Sequence, residues 1–310
     1  MQKRIVMIGS SCIDEYYEME HVPGLGDKAV LKPLGSRIGG MIGNAAAVAA
    51  AYGMEVYLMD TINRSESTEL ILEDCRNDGI RTEMIRFDSS LPDVKCLIFL
   101  KDGERIVYVI PTEKKDIVPN EEEKRILREA DYIYTSVDEL KRFQNSLAFM
   151  EWVRRAGTEI VLDVEYVHEA GREEEWRIIQ NADLVFVNQE GDEQLKRLIA
   201  DDYEQVLTGC GSMVIKTKGA EGCEIYLPDG KRCRKYAYPV RPVDTTGAGD
   251  TFNASFVFGL SCGWTPDEAG EFANGAAARA ILGMGARSGA AGEEKVREFI
   301  EQWRGEQSYE

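Results

Sequence analysis

The sequence predicts an α/β fold: three layers, α/β/α, around a mainly parallel central sheet, with a small β-sheet projecting as a lid. Three observations carry this. Short apolar runs near residues 132–135, 159–163, 184–188 and 213–216 alternate with amphipathic helical stretches, and strands separated by helices build a parallel sheet covered on both faces. The chain opens on the same theme, with a buried-type run from Arg4 to Ile8 that ends at Gly9-Ser10. From residue 250 onward it reads as helix, over about 251–262, 266–282 and 293–303, with a glycine-rich break at 283–289.

The intervening elements follow in order. Gly9-Ser10-Ser11-Cys12-Ile13-Asp14 continues the first strand into a loop but lacks the three-glycine spacing of a dinucleotide-binding turn. That leaves a nicotinamide-dependent oxidoreductase as a weak reading. Residues 14–38 hold Pro23-Gly24-Leu25-Gly26-Asp27 and Pro33-Leu34-Gly35 between short β-like pieces, an excursion from the regular alternation. Gly39-Gly40-Met41-Ile42-Gly43-Asn44 then opens an alanine-rich helix over 45–52 that stops at Gly53. A strand at 55–59 and a helix at about 67–76 resume the rhythm. Apolar runs at 95–100 and 105–110 flank Lys101-Asp102-Gly103-Glu104, a hairpin signal with Asp-Gly at the turn. With 14–38, the segment at about 90–110 forms the small β-layer. Asp163, Asn188 and Thr217-Lys218-Gly219 fall at the carboxyl ends of strands, where ligands bind in such sheets.

Composition bounds the function. At 310 residues with 44% hydrophobic content, four Trp, ten Phe and thirteen Tyr, the chain suffices for one large domain spanning 1–310. Its formal charge of −18, from 55 acidic and 37 basic residues, opposes nucleic-acid and anionic-membrane partners. The densest basic run, Lys231-Arg232-Cys233-Arg234-Lys235, reads as a solvated strand or turn. Seven scattered cysteines without a Cys-x-x-Cys argue against a disulfide framework and against structural zinc. Only His21 and His168 are histidines, so a multi-histidine metal site is excluded. No run approaches the ~20 apolar residues that cross a bilayer, and the first apolar run is too short for a signal peptide. The expectation is a cytoplasmic protein with reduced thiols.

The chemistry concentrates in Asp244-Thr245-Thr246-Gly247-Ala248-Gly249-Asp250. Extended chain precedes it at 238–243, where prolines disfavour helix, and a helical run follows, so the glycines sit at a helix N-terminus. Small residues there bring backbone N–H groups close to a ligand, and the first-turn donors with the helix dipole favour an anion. Asp250 adds a carboxylate where an anion would be repelled. It is either a helix N-cap or, beside a phosphoryl-transfer site, the base that takes a proton from an attacking hydroxyl.

Together, Gly9 to Asp14, the Gly39-Gly40 to Asn44 helix start, and the stretch from Asp244 to Asp250 resemble the ribokinase-like (PfkB) family of carbohydrate and nucleoside kinases, in the family's order and over the full chain. The resemblance implies an ATP-dependent kinase using Mg2+. It implies Asp250 as catalytic base and Gly247, Ala248 and Gly249 as an anion hole. It implies Asp14, Gly39, Gly40 and Asn44 as contacts to a sugar or nucleoside, and Asn188, Thr217, Gly219, Gly222 and Asn274 as the nucleotide side. Asp244, Thr246 and Gly285 correspond to a monovalent-cation (K+) site seen in many members. The β-segments at 14–38 and 90–110 correspond to the family's lid, through which some members form homodimers. Two positions depart from the pattern. Asn188-Gln189-Glu190-Gly191 places glycine where the family's Asn-x-x-Glu carries glutamate, which bears on magnesium; Glu190 or Glu193 is the substitute after a local shift. Ile42 stands where a small residue is usual, and would narrow or re-aim the acceptor pocket. The bland readings keep Asp14 as a turn cap and Asn44 as a helix cap. A non-catalytic sugar or nucleotide sensor on the same fold is the reading from another class.

Overall fold

A computed structural model of the chain describes residues 2–102, 104–110 and 112–307. In chain order the strands are β1 (Arg4–Ile8), β2 (Cys12–Met19), β3 (Leu31–Gly39), β4 (Glu55–Ile62), β5 (Arg81–Phe87), β6 (Lys95–Lys101), β7 (Glu104–Ile110), β8 (Tyr132–Ser136), β9 (Glu159–Val164), β10 (Leu184–Val187), β11 (Met213–Thr217), β12 (Cys223–Tyr226) and β13 (Arg232–Lys235). The helices are α1 (Met41–Ala51), α2 (Glu66–Asn77), α3 (Glu121–Glu129), α4 (Val137–Lys141), α5 (Ser146–Arg154), α6 (Arg172–Ile179), α7 (Gln189–Leu198), α8 (Tyr203–Gly209), α9 (Ala248–Ser261), α10 (Pro266–Ala280) and α11 (Glu293–Gln307).

Nine strands form the main sheet in the order β13-β12-β11-β10-β9-β8-β1-β4-β5. Its neighbours are parallel from β11 to β5, and β12 and β13 close one edge antiparallel. β1 shows why both faces need helices. Ile5 and Met7 belong to the core under α1, α9 and α10, while Val6 and Ile8 belong to the core on the opposite face with Ile126, Leu127 and Phe149. Side chains alternate faces along a strand, so a run apolar at every position must be covered twice. Three layers result, as the alternation of the sequence predicts. The basic run at 231–235 becomes the edge strand β13, with Arg232 and Arg234 exposed.

α1 and α9 set the site. Ala45, Ala46, Ala47 and Ala49 are all buried, so the helix presents little bulk to its neighbours, and Tyr52 Oη lies 2.8 Å from Ser255 Oγ on α9. The second sheet has four strands in the order β3-β2-β6-β7 and grows out of the loop that follows β1. β2 and β6 pair in parallel, and β6 and β7 form the expected hairpin, with Lys101 opposite Glu104. Asp102 at its turn has φ 51°, while Gly103 lies outside the described residues. Among the described residues no helix is long and apolar enough to cross a membrane.

Candidate active site

Gly247 is the N-cap of α9 with φ 76°, and a Cβ there would run into the Ala286 carbonyl oxygen, so the turn into the helix requires glycine. The helix begins three residues before the expected 251, at Ala248, which places Asp250 in its first turn and not at the cap. Asp250 is held from the other side by Asn44, whose Nδ2 donates to Asp250 Oδ2 at 2.7 Å. Burial pushes the Asp250 carboxyl up to about 7; the bond from Asn44 opposes the shift, the negative charges of Asp163 and Asp14 add to it, and Arg105 opposes it again. Such a group takes up a proton near neutral pH, as a general base must.

The capping readings of Asn44 and Asp14 do not hold. Asn44 lies inside α1 and is only 4% exposed, and the N-cap of that helix is Gly40. Asp14 lies within β2, buried against Gly39, where a Cβ would overlap its carboxylate. Asn44 Oδ1 and the Tyr16 hydroxyl are buried with no hydrogen-bond partner among the described residues. Buried polar atoms left unpaired are costly, and these two flank Asp14 and Asp250, so a polyol hydroxyl would satisfy them. Ile42 does not narrow this pocket. It is 2% exposed and packs into the main core, filling the space that Gly9 leaves.

On the other side of the α9 start lies a cavity of about 440 Å3, large enough for a small ligand. Thr217, Gly219, Gly222 and Asn274 line it together with Ala248 and Gly249, so the expected nucleotide residues and two of the three anion-hole residues meet at one wall. The Asn274 amide donates to the Lys235 carbonyl at 3.4 Å, which fixes its plane at the cavity edge. The first turn of α9 stands between this cavity and the Asp14–Asn44 pocket, with the Ala248 N–H donating weakly to the Thr245 carbonyl at 3.3 Å.

The sequence pattern of the pfkB family carbohydrate kinases matches residues 2–291. The chain belongs to that family. As a pfkB-family kinase it is a phosphotransferase with an alcohol group as acceptor. An ATP-dependent ribose-1-phosphate kinase of Halopiger xanaduensis is 26% identical over 290 residues, 92% of this chain and 94% of its own. The ribokinase of Bacillus subtilis is 24% identical over 309 residues, 96% of this chain and 99% of its own. The structure of Arabidopsis thaliana ribokinase complexed with ribose and ATP matches with a TM-score of 0.81 at 22% identity, covering 97% of this chain and 99% of that one, a likeness of fold.

Against the family pattern, Asn188 does not line the 440 Å3 cavity. It is the N-cap of α7 and accepts from the Gly191 N–H at 2.8 Å. The departure at Gly191 has a steric cause: a Cβ there would run into the Val164 carbonyl oxygen at the end of β9. Carboxylates gather nearby instead. Glu165 stands open to water in the cleft, yet desolvation by the surrounding walls, then Asp163, Asp250 and Glu190, push its carboxyl up to about 8. Beneath Asp250, Asp163 accepts from the Tyr134 hydroxyl at 2.7 Å and from Asn253 Nδ2 at 2.8 Å, and burial raises it to about 6. Tyr16, Tyr134, Asn253 and Glu165 carry no local sequence signal. They reach the site through strand register and one further turn of α9.

The structure also brings Asp244, Thr246 and Gly285 together. Asp244 Oδ1 accepts from the Thr246 N–H at 2.9 Å and from its hydroxyl at 2.7 Å, and Oδ2 accepts from the Gly285 N–H at 2.9 Å. These bonds and the nearby Arg105 hold the Asp244 carboxyl below its ordinary value against the effect of burial. Arg105, from β7, also donates to the Thr246 hydroxyl, with Asp244 Oδ1 at 3.9 Å.

Proposed function

We propose that this kinase transfers the γ-phosphate of ATP to a hydroxymethyl group of a sugar or sugar derivative, with Asp250 as base. The carrying observation is the position of the α9 start, which has the Asn44–Asp250 pair on one side and the Ala248–Gly249 wall of the 440 Å3 cavity on the other. Asp14, Asn44 and Tyr16 orient the acceptor hydroxyls. Asp250 takes the proton as the hydroxyl attacks, and Asn44 keeps the receiving oxygen aimed. The N–H groups at Gly247, Ala248 and Gly249 meet the charge on the transferring phosphoryl; one such donor is typically worth about 3 kcal/mol of transition-state stabilisation. ATP lies along the cavity of Thr217, Gly219, Gly222 and Asn274, with Asn188 nearer its phosphate end. The chain acts as one kinase unit, its small sheet closing as a lid that keeps water from replacing the acceptor.

Magnesium fits the cleft without a glutamate at 191. Glu165 and Glu190 supply the hard oxygen donors that such an ion prefers. When bound, the ion neutralises phosphate charge. At Asp244 the oxygens already accept hydrogen bonds and Arg105 supplies positive charge, so no step here depends on K+.

A second reading, an acceptor that is already phosphorylated, is favoured by the cations around the pocket. Arg287 and Arg105 lie near Asp14, the first paired with Asp74 and Asp78 and the second beside Asp244, and the Arg37 guanidinium lies 5.7 Å from the centre of the Tyr16 ring. A nucleoside acceptor is the remaining alternative. ATP turnover against ribose, fructose, ribose-1-phosphate and nucleosides separates these readings. Asp250→Asn should fold and lose about 100–10,000-fold in turnover. Binding of both ligands without turnover in the wild type would establish the sensor instead, and near-wild-type turnover of Asp250→Asn would remove the base.

A further inference from the structure

Cys12 and Asp14 are two residues apart on β2, so their side chains share one face of the small sheet. Cys96 lies directly opposite Asp14 across the parallel ladder of β2 and β6. Register thus gathers two thiols and a carboxylate although the cysteines are 84 positions apart, a grouping that sequence spacing hides. The two sulfurs stand 3.7 Å apart, Cys12 Sγ donates to Asp14 Oδ1 at 3.3 Å, and the three ligand atoms lie within 4.8 Å of one another.

A tetrahedral zinc ion with Zn–S near 2.3 Å and Zn–O near 2.0 Å holds two sulfurs about 3.8 Å apart and each sulfur about 3.5 Å from the oxygen. The Cys12–Cys96 and Cys12–Asp14 separations already match that geometry. Thiolates are soft donors, which favours zinc over the magnesium that phosphate chemistry uses. Two thiolates and a carboxylate around a dication leave one net negative charge, and Arg287 and Arg105, held by Asp74 and Asp78 and by Asp244 respectively, lie near enough to act on it. Cys12 and Asp14 are buried, while Cys96 is partly exposed and gives the ion a way in.

We propose that Cys12, Asp14 and Cys96 form a site for a thiophilic divalent cation, Zn2+ being the fitting ion, with its fourth position left for a water or acceptor oxygen. An ion held there occupies the carboxylate that the acceptor hydroxyls would use, so zinc and acceptor exclude each other. That consequence rests on the proposed function; the binding itself does not.

The test is a Co2+ titration of the reduced, metal-stripped full chain, followed by thiolate-to-cobalt charge-transfer absorption. A saturable band that Zn2+ displaces is expected in the wild type. It should be lost in Cys12→Ser and in Cys96→Ser and kept in Cys210→Ser, whose thiol is exposed elsewhere. The cluster of Asp138, His168 and Glu175 has no sulfur and cannot produce the band. On the wild type alone, Zn2+ should protect Cys12 and Cys96 from alkylation in peptide mapping, which serves if a variant fails to fold. No band in the wild type, a band surviving in Cys96→Ser, or unchanged alkylation would each overturn the site, whatever the acceptor is.

Discussion

Burial raises the proton affinity of Asp250 until its carboxyl titrates at about 7, and this has a kinetic and a thermodynamic consequence. As the base it works only when ionised, so kcat/KM should rise with pH through an inflection near 7, and a flat profile across that range would argue for another base. Stability runs the opposite way. Between the ordinary value of 3.8 and about 7, the folded chain keeps a proton that the unfolded chain has released, so this group's contribution falls as pH rises through the window. Asp250→Asn removes the buried charge and keeps a partner for Asn44. At pH 8 its Tm should exceed that of the wild type, by about 1–2 °C for each kcal/mol recovered in a chain of this length, while turnover is lost; an equal or lower Tm would show that the charge is not strained. Asp250 stood out in the sequence as a carboxylate among the small residues of a helix start, whereas Asp14 and Asn44 were singled out only by the family resemblance. Tyr16 and Tyr134 were not legible, since a tyrosine in a strand has the same pattern whether it meets a ligand or a core.

At the scale of elements, the apolar runs foretold β1 and β8 to β11 within a residue, because strands covered on both faces are mostly apolar, whereas β4 runs three residues past its expected end and β5 and β12 were not read as strands. Helix starts were less legible. α9 begins at Ala248 because Gly247 takes a left-handed conformation that the sequence permits but does not compel. The first turn of α7 packs so closely on the end of β9 that Gly191 cannot carry a side chain without displacing the Val164 carbonyl. Family reasoning alone would expect Gly191→Glu to improve a magnesium site. The packing predicts the reverse: Gly191→Ala should cost about 1–3 kcal/mol, as overpacking does, and Gly191→Glu at least as much. Urea midpoints of the two variants measure this, and a Gly191→Glu protein as stable as the wild type would show that the turn moves freely.

For the whole molecule, the small sheet links the acceptor pocket to the surface. Arg105, Val107 and Val109 lie on its site-facing side, in register with Leu100, Ile98 and Cys96. Val107 and Val109 overhang at 46% and 69% exposure, where a homodimer through the lid, of the kind the family resemblance implies, would cover them. Light scattering should then give a dimer that Val109→Lys dissociates, and a monomeric wild type would end that reading. Arg105 makes the other connection, from β7 to Thr246 and Asp244 just before the catalytic turn. A partly exposed charged contact of this kind is worth ~1 kcal/mol, so Arg105→Ala should raise the acceptor KM about fivefold while leaving the fold intact. Its sharper signature is coupling. If the sheet closes the site against water, the variant should form more ADP than phosphorylated acceptor, whereas the wild type forms them in equal amounts. Equal yields in Arg105→Ala with unchanged KM would mean that backbone pairing alone positions the sheet and that the arginine only decorates its edge.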